Sequence, residues 1–215
     1  MINIAIFASG NGTNAERIME FYKNSDYANV KLILTDKENA YVRERAKKFN
    51  VPSIYFERKF FNNKCEKHSQ NTECDSENNL IKVEYHKFKD NLLNTLDEYD
   101  IDFIVLAGFL SLIPRWLIKQ YNNRIINIHP ALLPKYGGKG MYGDNVHKAV
   151  IDAGEKESGI TIHYVNDEYD CGNIIFQAKC EVESSDTIES LANKIHKLEY
   201  KHYPEVIDSL IKNLK

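Results

Sequence analysis

Asn127 and His129 stand two residues apart at the end of an apolar run, and Pro130 follows directly. Side chains two apart on a strand point to the same side of the chain, so the amide and the imidazole would face one reacting group together. An amide donor beside a charged imidazolium can stabilise a developing oxyanion, and an imidazole can also move a proton near neutral pH. Pro130 and Pro134 would stiffen the exit from the strand. The alternative is a histidine that caps a strand end, with Asn127 bonded to the backbone.

A glycine-rich turn, Ser9-Gly10-Asn11-Gly12-Thr13-Asn14, lies between the first apolar run and the first helical pattern. Backbone N–H groups at the start of a helix bind phosphate well, glycine allows close approach, and Thr13 and Asn14 can add side-chain donors. The turn lacks the third glycine of the dinucleotide fingerprint and the Gly-Lys-Ser/Thr of a P-loop. It therefore indicates a phosphate-binding turn; the alternative is an ordinary strand-to-helix turn with a capping side chain.

An acidic turn, residues 166–172, follows an alternating strand pattern that contains His163. A carboxylate beside His129 would raise the pKa of that imidazole and fix its ring. Asp170 would take this role only if the fold brings it opposite His129. The alternative is a solvated loop, which is the usual state of an acidic turn.

Apolar runs alternate with helical patterns through about the first 130 residues, which predicts an α/β fold with a doubly wound, mostly parallel sheet. The run Asp102–Ala107 is the most apolar, and we expect it at the centre of that sheet. Two strand patterns without a helix between them, residues 159–165 and 173–182, predict an antiparallel edge on a mixed sheet. In such sheets ligands bind beyond the carboxyl ends of the strands, where the Asn127–His129 pair would lie.

The C-terminal part of the chain predicts helix. The last long helix is expected to begin near Ser185 or Asp186 and to run past Glu199. Pro204 is expected to open a separate final turn or short helix, because proline favours the first turn of a helix and disrupts its interior.

The chain has 215 residues, with 28 lysines and arginines against 31 aspartates and glutamates, and a formal net charge of −3. That length fits one domain over residues 1–215. The charge balance gives no field for nucleic acid or an anionic membrane, and no apolar run approaches the roughly 20 residues that span a bilayer. The first residues lead directly into a strand pattern, so we expect no signal peptide and a cytoplasmic location.

The segment 62–79 is polar, rich in Asn, Ser and Glu, and predicts a surface loop inserted into the domain. It contains Cys65, His68 and Cys74, but these show no C-x-x-C pairing and no second pair at zinc-finger distance. We therefore expect no metal. The four cysteines of the chain are expected to be free thiols in a cytosolic protein.

Four stretches together resemble the phosphoribosylglycinamide formyltransferases, the folate-dependent GAR transformylases: SGNGTN at 9–14, LAGFL at 106–110, INIHPALLPKY at 126–136 and GITIHYVNDEYDCGNIIFQ at 159–177. The resemblance covers nearly the whole chain apart from the polar insert. It implies a formyltransferase-like variant of the Rossmann fold. It also implies transfer of a formyl group from 10-formyltetrahydrofolate to the amine of glycinamide ribonucleotide in purine biosynthesis.

The resemblance implies roles for individual residues. Asn127, His129 and Asp170 match the family's catalytic trio, and His163 matches a histidine near the reacting centre. Glu199 matches a glutamate near the glycinamide end of the substrate. The loop that holds the ribose phosphate is matched by Gly12, Thr13 and Asn14, and the walls of the folate pocket are matched by Phe109, Leu110, Ser111, Leu112, Ile113, Asn166, Asp167 and Glu168.

Two departures from the family pattern affect the folate pocket. Ser111 stands where the family often has a basic residue, and the glycine-rich segment 136–145 is longer than in many relatives. The sequence also leaves open whether the Leu133–Pro134 bond is cis, a reasonable question for a proline in a tight turn.

Three other activities compete with this interpretation. Formyltetrahydrofolate deformylase shares the trio but delivers water, and it carries an added N-terminal domain that we do not expect here, because the first strand begins at Asn3. Methionyl-tRNA formyltransferase would need a C-terminal tRNA-binding domain and a more basic chain. A non-catalytic phosphate-binding module would explain the glycine-rich turn but not the trio. We expect small-molecule substrates, no nucleic-acid or membrane partner, no metal, and a monomer or weak homodimer.

Overall fold

The computed structural model describes residues 1–61 and 76–214, apart from the side chains of residues 76–79 and 81. Its strands are β1 Ile2–Phe7, β2 Ala28–Thr35, β3 Ser53–Tyr55, β4 Phe103–Leu106, β5 Ile125–His129, β6 Glu157–Tyr164 and β7 Ile174–Glu181. They form one sheet in the order β3-β2-β1-β4-β5-β6-β7. Strands β1 to β5 run parallel, whereas β6 and β7 are antiparallel. The mixed α/β sheet, its antiparallel edge and the central place of β4 are confirmed.

Six α-helices are described: α1 Thr13–Tyr22, α2 Val42–Lys48, α3 Ser76–Glu98, α4 Arg115–Gln120, α5 Asp144–Asp152 and α6 Ile188–Lys212. Helix α3 begins inside the segment that the sequence predicted as a loop. The rest of that segment, residues 62–75 with Cys65, His68 and Cys74, lies outside the described residues. Within the described ranges, no helix is both long and apolar enough to cross a membrane.

The sheet is covered by helices on both faces. Ile4 and Ile6 of β1 pack into a core shared with α1, α2, α5 and α6, whereas the alternate residues Ala5 and Phe7 pack into a second core shared with α3 and α4. Because successive side chains of a strand point to opposite faces, a fully apolar strand such as β1 serves both cores. This burial fixes the central strands and therefore the positions at which their carboxyl ends stop.

The segments that leave β1 and β4 are joined by hydrogen bonds at the carboxyl edge of the sheet. The backbone N–H of Ser9 donates to the carbonyl of Gly108 at 3.0 Å, and the Ser9 hydroxyl accepts from the backbone N–H of Leu110 at 2.9 Å. These contacts hold the glycine-rich turn next to the segment after β4. Two stretches distant in sequence thereby form adjacent walls of one cleft.

Helix α6 is continuous through Pro204, so the prediction of a separate helix there was wrong. Proline removes one helical hydrogen bond, but Tyr203, Pro204, Ile207 and Ile211 are all buried, and this packing holds the helix together. The Tyr203 hydroxyl donates to the carbonyl of Leu106, the last residue of β4, at 2.8 Å. This bond anchors α6 at the carboxyl edge of the sheet, with Glu199 one turn before it on the same face.

Candidate active site

A cleft of about 660 Å³ opens at the carboxyl ends of β1, β4 and β5. Its walls come from the turn after β1, the segment after β4, the end of β5, the turn after β6, and helices α5 and α6. Nearly all of the predicted site residues line it, namely Gly12, Thr13, Asn14, Phe109, Leu110, Ser111, Leu112, Ile113, Asn127, His129, His163, Asn166, Glu168, Asp170 and Glu199. The fold therefore gathers residues from distant parts of the sequence around a single cavity.

Asp170 is the point on which the polar groups of the cleft converge. Its Oδ2 atom lies 3.4 Å from Nδ1 of His129 and accepts the backbone N–H of Gly138 at 2.9 Å. Its Oδ1 atom lies 3.4 Å from Nδ2 of Asn127 and 3.6 Å from Nε2 of His163. The geometric condition that the sequence left open, that Asp170 faces His129, is met.

The two-residue spacing in β5 places Asn127 and His129 side by side, as predicted. Across the antiparallel pairing with β6, Asn127 lies opposite His163 and His129 lies opposite Thr161. The Asn127 amide donates to Nε2 of His163 at 3.1 Å. Both β5 side chains reach the same carboxylate, which is the arrangement that alternation along a strand produces.

The His129 ring is held in place by a hydrogen bond, and its surroundings lower its pKa. Its Nε2–H donates to the carbonyl of Tyr136 at 2.7 Å, which leaves Nδ1 facing Asp170. Burial lowers the pKa of His129 below the ordinary 6.5, and the Asp170 carboxylate and the Tyr136 carbonyl, which both raise it, offset only part of that effect. The Asp170 carboxylate raises the pKa of His129 as expected, but the net shift is downward and the expectation of a charged ring was wrong, because the imidazole is only 3% exposed and desolvation dominates.

The turn that supplies the Tyr136 carbonyl is fixed on both sides. The Leu133–Pro134 bond is cis, which answers the question that the sequence left open. The backbone N–H of Leu133 donates to the Thr161 hydroxyl at 3.0 Å, and the Gln177 amide donates to the Leu133 carbonyl at 3.1 Å. Strands β6 and β7 thus hold the turn that orients His129.

Asp170 is ionised and sits in an unusual backbone conformation. Burial raises the pKa of Asp170, but the His163 imidazole, the His129 imidazole and the Gly138 N–H, which all favour the ionised carboxylate, together outweigh it, so the pKa lies below the ordinary 3.8. The residue has a positive φ of 56°, a conformation that aspartate and asparagine adopt more readily than most residues. An ionised carboxylate is therefore presented to His129 from a turn suited to this residue type.

The glycine-rich turn is held rigidly at the start of α1. Gly12 has φ +74°, and a Cβ added there would lie 2.4 Å from Cγ2 of Val42 and 2.9 Å from its Cα. The Arg45 guanidinium donates to the Asn11 carbonyl at 2.8 Å, and the Val42 N–H donates to the Gly10 carbonyl at 3.1 Å. The first N–H groups of a helix have no partners within the helix, so the turn is suited to an anion.

Glu199 reaches the cleft from α6 and touches the same turn. Its Oε2 accepts from the Asn14 amide at 3.0 Å, and the residue is only 6% exposed. Burial raises the pKa of Glu199 to about 7, while the Asn14 hydrogen bond lowers it in part. A carboxyl group that titrates near neutral pH therefore adjoins the candidate phosphate turn.

The predicted folate wall is mostly in place, with one exception. Asp167 does not line the cleft but pairs with Arg115 at 2.7 Å. Ser111, one of the two departures from the family pattern, donates its hydroxyl to the buried Asp36 at 2.5 Å. Arg58 also lines the cleft, and its Nε lies 3.6 Å from the same carboxylate.

Several cleft residues were missed by the sequence reasoning, chiefly His147 on α5, His196 on α6 and Tyr142 in the glycine-rich segment. One signal was available for His147, a histidine beside Val146 on the buried face of a short helix. His196 and Glu199 are one turn apart on α6, so the helical period of the sequence places them on the same face. In the ranges 1–61 and 76–214, no group of three or more His, Cys, Asp or Glu side chains is arranged to hold a metal ion.

Comparison with known proteins agrees with this geometry. A family model described as formyl transferase matches residues 2–207. The chain is 38% identical to the chloroplastic phosphoribosylglycinamide formyltransferase of Arabidopsis thaliana over 96% of its own length and 64% of the relative, and 37% identical to the Bacillus subtilis enzyme over 98% and 95%.

Solved structures give the same result. The phosphoribosylglycinamide formyltransferase of Streptococcus pneumoniae superposes with a TM-score of 0.77 at 34% identity, covering 98% of this chain and 99% of that one. The Bacillus halodurans enzyme gives 0.78 at 34% identity, covering 99% and 97%. The chain therefore belongs to the formyl transferase family, among the phosphoribosylglycinamide formyltransferases.

Proposed function

We propose that this protein transfers the formyl group of 10-formyltetrahydrofolate to the amine of glycinamide ribonucleotide, a step of purine biosynthesis. The observation that carries the proposal is the convergence of Asn127, His129 and His163 on the ionised Asp170, within 3.6 Å, in the cleft. An oxyanion-stabilising amide, a proton-carrying imidazole and an orienting carboxylate are the groups that acyl transfer to an amine requires.

Asn127 is needed to stabilise the oxyanion that forms when the formyl carbon is attacked. The amine nitrogen of the ribonucleotide attacks the formyl carbon, a new C–N bond forms, and the carbonyl oxygen becomes an oxyanion. The contact from Asn127 Nδ2 to Asp170 is long, at 3.4 Å, so this N–H can turn towards the oxyanion. Collapse of the intermediate restores the carbonyl and breaks the bond from the formyl carbon to N10.

His129 is needed because the reaction must move a proton from the amine to N10. The attacking amine gains positive charge and must lose a proton, and N10 must gain one to leave. Because burial lowers the pKa of His129 below 6.5, the neutral ring predominates at pH 7, and its Nδ1 is the nitrogen not engaged by Tyr136. We assign Nδ1 as the position that takes the amine proton, through water, and later returns it to N10. While the proton is on the ring, Asp170 stabilises the imidazolium, and the imidazolium stabilises the oxyanion.

Positioning of the two substrates supplies much of the remaining rate enhancement. The turn at Gly12, Thr13 and Asn14 would hold the ribose phosphate, and Glu199 would lie at the glycinamide end. The folate would lie along residues 109–113 with Asn166 and Glu168, where the cleft walls are largely apolar. The reaction as written needs no metal and no covalent bond to the enzyme. A monomer or weak homodimer, a single domain and a cytoplasmic location stay predictions.

The proposal is tested by following release of tetrahydrofolate from 10-formyltetrahydrofolate with and without glycinamide ribonucleotide. We expect release that depends on the ribonucleotide. Equal release in its absence would indicate a deformylase, an activity that the named relatives do not favour. No release under either condition, with retained binding of a phosphate ligand, would indicate a non-catalytic binding module.

A further inference from the structure

The β5 exit turn, residues 131–138, contacts both members of the His129–Asp170 pair. Its Tyr136 carbonyl accepts the Nε2–H of His129 at 2.7 Å, and its Gly138 N–H donates to Oδ2 of Asp170 at 2.9 Å. The two contacts come from residues only two apart in the chain, so a shift of this turn would disturb both. The relative placement of the imidazole and the carboxylate therefore depends on how the β5 exit turn is held.

Tyr136 has a backbone conformation that its surroundings must impose. Its φ is +57°, in the left-handed region that bulky residues rarely adopt. Its hydroxyl donates to Oε1 of Glu155 at 3.0 Å, which fixes the end of the side chain. A strained conformation persists only while the neighbouring structure holds it, so loss of an anchor would let the Tyr136 carbonyl withdraw from His129.

Thr161 on β6 holds the first half of the β5 exit turn. Its hydroxyl donates to the Ala131 carbonyl at 2.6 Å and accepts the Leu133 N–H at 3.0 Å. It also accepts an N–H of the Gln177 amide at 2.9 Å. A hydroxyl has one donor and two acceptor sites, so every hydrogen-bonding site of this side chain is used. Thr161 is fully buried and does not line the cleft, so it holds the turn without contact to a substrate.

The strand register places Thr161 at this point. It lies opposite His129 across the β5–β6 pairing and opposite Gln177 across the β6–β7 pairing. Side chains directly opposite on adjacent strands project from the same face of the sheet. The second N–H of the Gln177 amide donates to the Leu133 carbonyl at 3.1 Å, so β7 supports the same anchor. The sheet thereby delivers a buried hydroxyl to the turn that leaves β5.

The position of the proton on His129 links this anchor to the chemistry. While the Nε2–H is bonded to the Tyr136 carbonyl, Nδ1 of the neutral ring carries no proton and can accept one. If that carbonyl withdrew, the ring proton would move to Nδ1, where Oδ2 of Asp170 lies 3.4 Å away as an acceptor. Nδ1 could then no longer take the proton of the amine.

We propose that Thr161 is a positioning residue, whose buried hydroxyl holds the β5 exit turn so that the turn fixes the orientation and the tautomer of His129 opposite Asp170; this inference rests on the proposed function. Thr161 takes no part in the bond changes at the formyl carbon. Loss of its hydroxyl therefore lowers the rate of the chemical step and has little effect on the binding of either substrate.

The test compares wild type with T161V, which keeps the branched shape but lacks the hydroxyl, and with T161S, which keeps the hydroxyl. S158A is the matched control, because it removes a buried hydroxyl of the same strand that has no hydrogen-bond partner among the described residues. Each variant is followed by steady-state kinetics, by thermal unfolding, and by ¹⁵N NMR of labelled histidine, with the His129 signals assigned from a H129Q variant.

We expect T161V to lower kcat about 10- to 100-fold, because small displacements of catalytic groups have effects of this size. KM for the ribonucleotide and for the folate should change by less than about 3-fold, since neither substrate contacts Thr161. T161S should keep kcat within about 3-fold of wild type, because the hydroxyl is retained. S158A should match wild type.

The NMR spectra report on His129 without any substrate. In wild type and T161S the neutral ring should carry its proton on Nε2, which donates to the Tyr136 carbonyl. In T161V the proton should shift towards Nδ1, and the pKa of His129 should fall below the wild-type value, because the bond to the Tyr136 carbonyl raises it. A Thr161 that contributes only to stability would leave both signals unchanged.

The inference is overturned if folded T161V has a wild-type kcat or a wild-type His129 spectrum, or if T161S loses as much activity as T161V. If T161V does not fold, Q177M replaces it, since Met matches the length of Gln and lacks the amide; a wild-type kcat and spectrum in folded Q177M then overturn the inference. Wild-type protein without ribonucleotide-dependent turnover would contradict the proposed function, whereas the spectra would still show whether Thr161 positions the His129 ring.

Discussion

Nδ1 of His129 lies 3.4 Å from Oδ2 of Asp170, while Nε2 of the same ring is fixed to the Tyr136 carbonyl at 2.7 Å. The ring thus has one nitrogen engaged and one facing an ionised carboxylate. Because burial lowers the pKa of His129, the ring is neutral near pH 7 and gains its positive charge when a proton reaches Nδ1. The pair is poised to receive a proton during the reaction rather than to hold one beforehand.

Replacement of Asp170 by asparagine tests the role of the carboxylate. Asparagine tolerates the positive φ of 56° and can still accept the Gly138 N–H, so we expect the fold to be unchanged. It cannot stabilise an imidazolium, and kcat should fall by about 10²- to 10⁴-fold. Steady-state kinetics and circular dichroism measure the two effects. A folded variant with near-normal turnover would refute the role of Asp170.

The ionisation of His129 can be measured directly by NMR titration of labelled histidine, assigned with a H129Q variant. We expect a pKa below 6.5, because burial outweighs Asp170 and the Tyr136 carbonyl. The D170N variant should titrate lower still, since it lacks the carboxylate that raises the pKa. A pKa above 6.5 in the unliganded wild-type protein would show that the ring is charged before substrate binds.

Glu199 predicts a pH dependence of stability. Its folded pKa of about 7 exceeds the ordinary 4.5, so the folded state retains a proton that the unfolded chain has lost between these values. The associated stability is fully present below pH 4.5 and is lost as the pH rises through 7. Taking about 1.4 kcal/mol for each pKa unit, the loss is about 3 kcal/mol, an order-of-magnitude figure.

The E199Q variant removes this dependence. Urea unfolding of wild type and E199Q is measured at pH 4.5 and pH 8. The free energy of unfolding of E199Q should increase relative to that of wild type as the pH rises. E189Q, at an exposed position of the same helix, should follow wild type. A wild-type to E199Q difference that is the same at both pH values would contradict the raised pKa.

Gly12 and Gly10 give a matched pair for the phosphate turn. Alanine at Gly12 would require φ +74° and would place Cβ within 3 Å of three atoms of Val42, so we expect a loss of about 1–3 kcal/mol in the free energy of unfolding. Alanine at Gly10 meets no atom within 4 Å and no positive φ, and should change it by less than about 0.5 kcal/mol. Similar losses from both substitutions would argue against a turn held against α2.

Much of the fold and the central site could be predicted because their signals are local. Alternating apolar runs and helical periods identify the strands and helices, and the parallel topology then sends Asn127 and His129 to the carboxyl edge of the sheet. The proximity of Asp170 was conditional, since no local pattern states which residue a turn after β6 will face. Only the antiparallel pairing of β5 with β6 brings it there.

The remaining features depend on three-dimensional packing. The pKa of His129 depends on how deeply the ring is buried, which composition does not reveal. Pro204 lies inside α6 because a buried face compensates for the missing hydrogen bond. The sequence pattern of α5 indicates a core position for His147, and only the structure shows that this residue also lines the cleft. The pairing of Ser111 with Asp36 joins segments distant in sequence.

The proposed reaction passes the formyl group to an amine and not to water. The most direct measurement follows ¹³C-labelled formyl from 10-formyltetrahydrofolate by NMR, in the presence of glycinamide ribonucleotide and the purified protein. We expect the label to appear as a formamide on the ribonucleotide, in step with tetrahydrofolate. Label found as free formate, with the ribonucleotide unchanged, would contradict it.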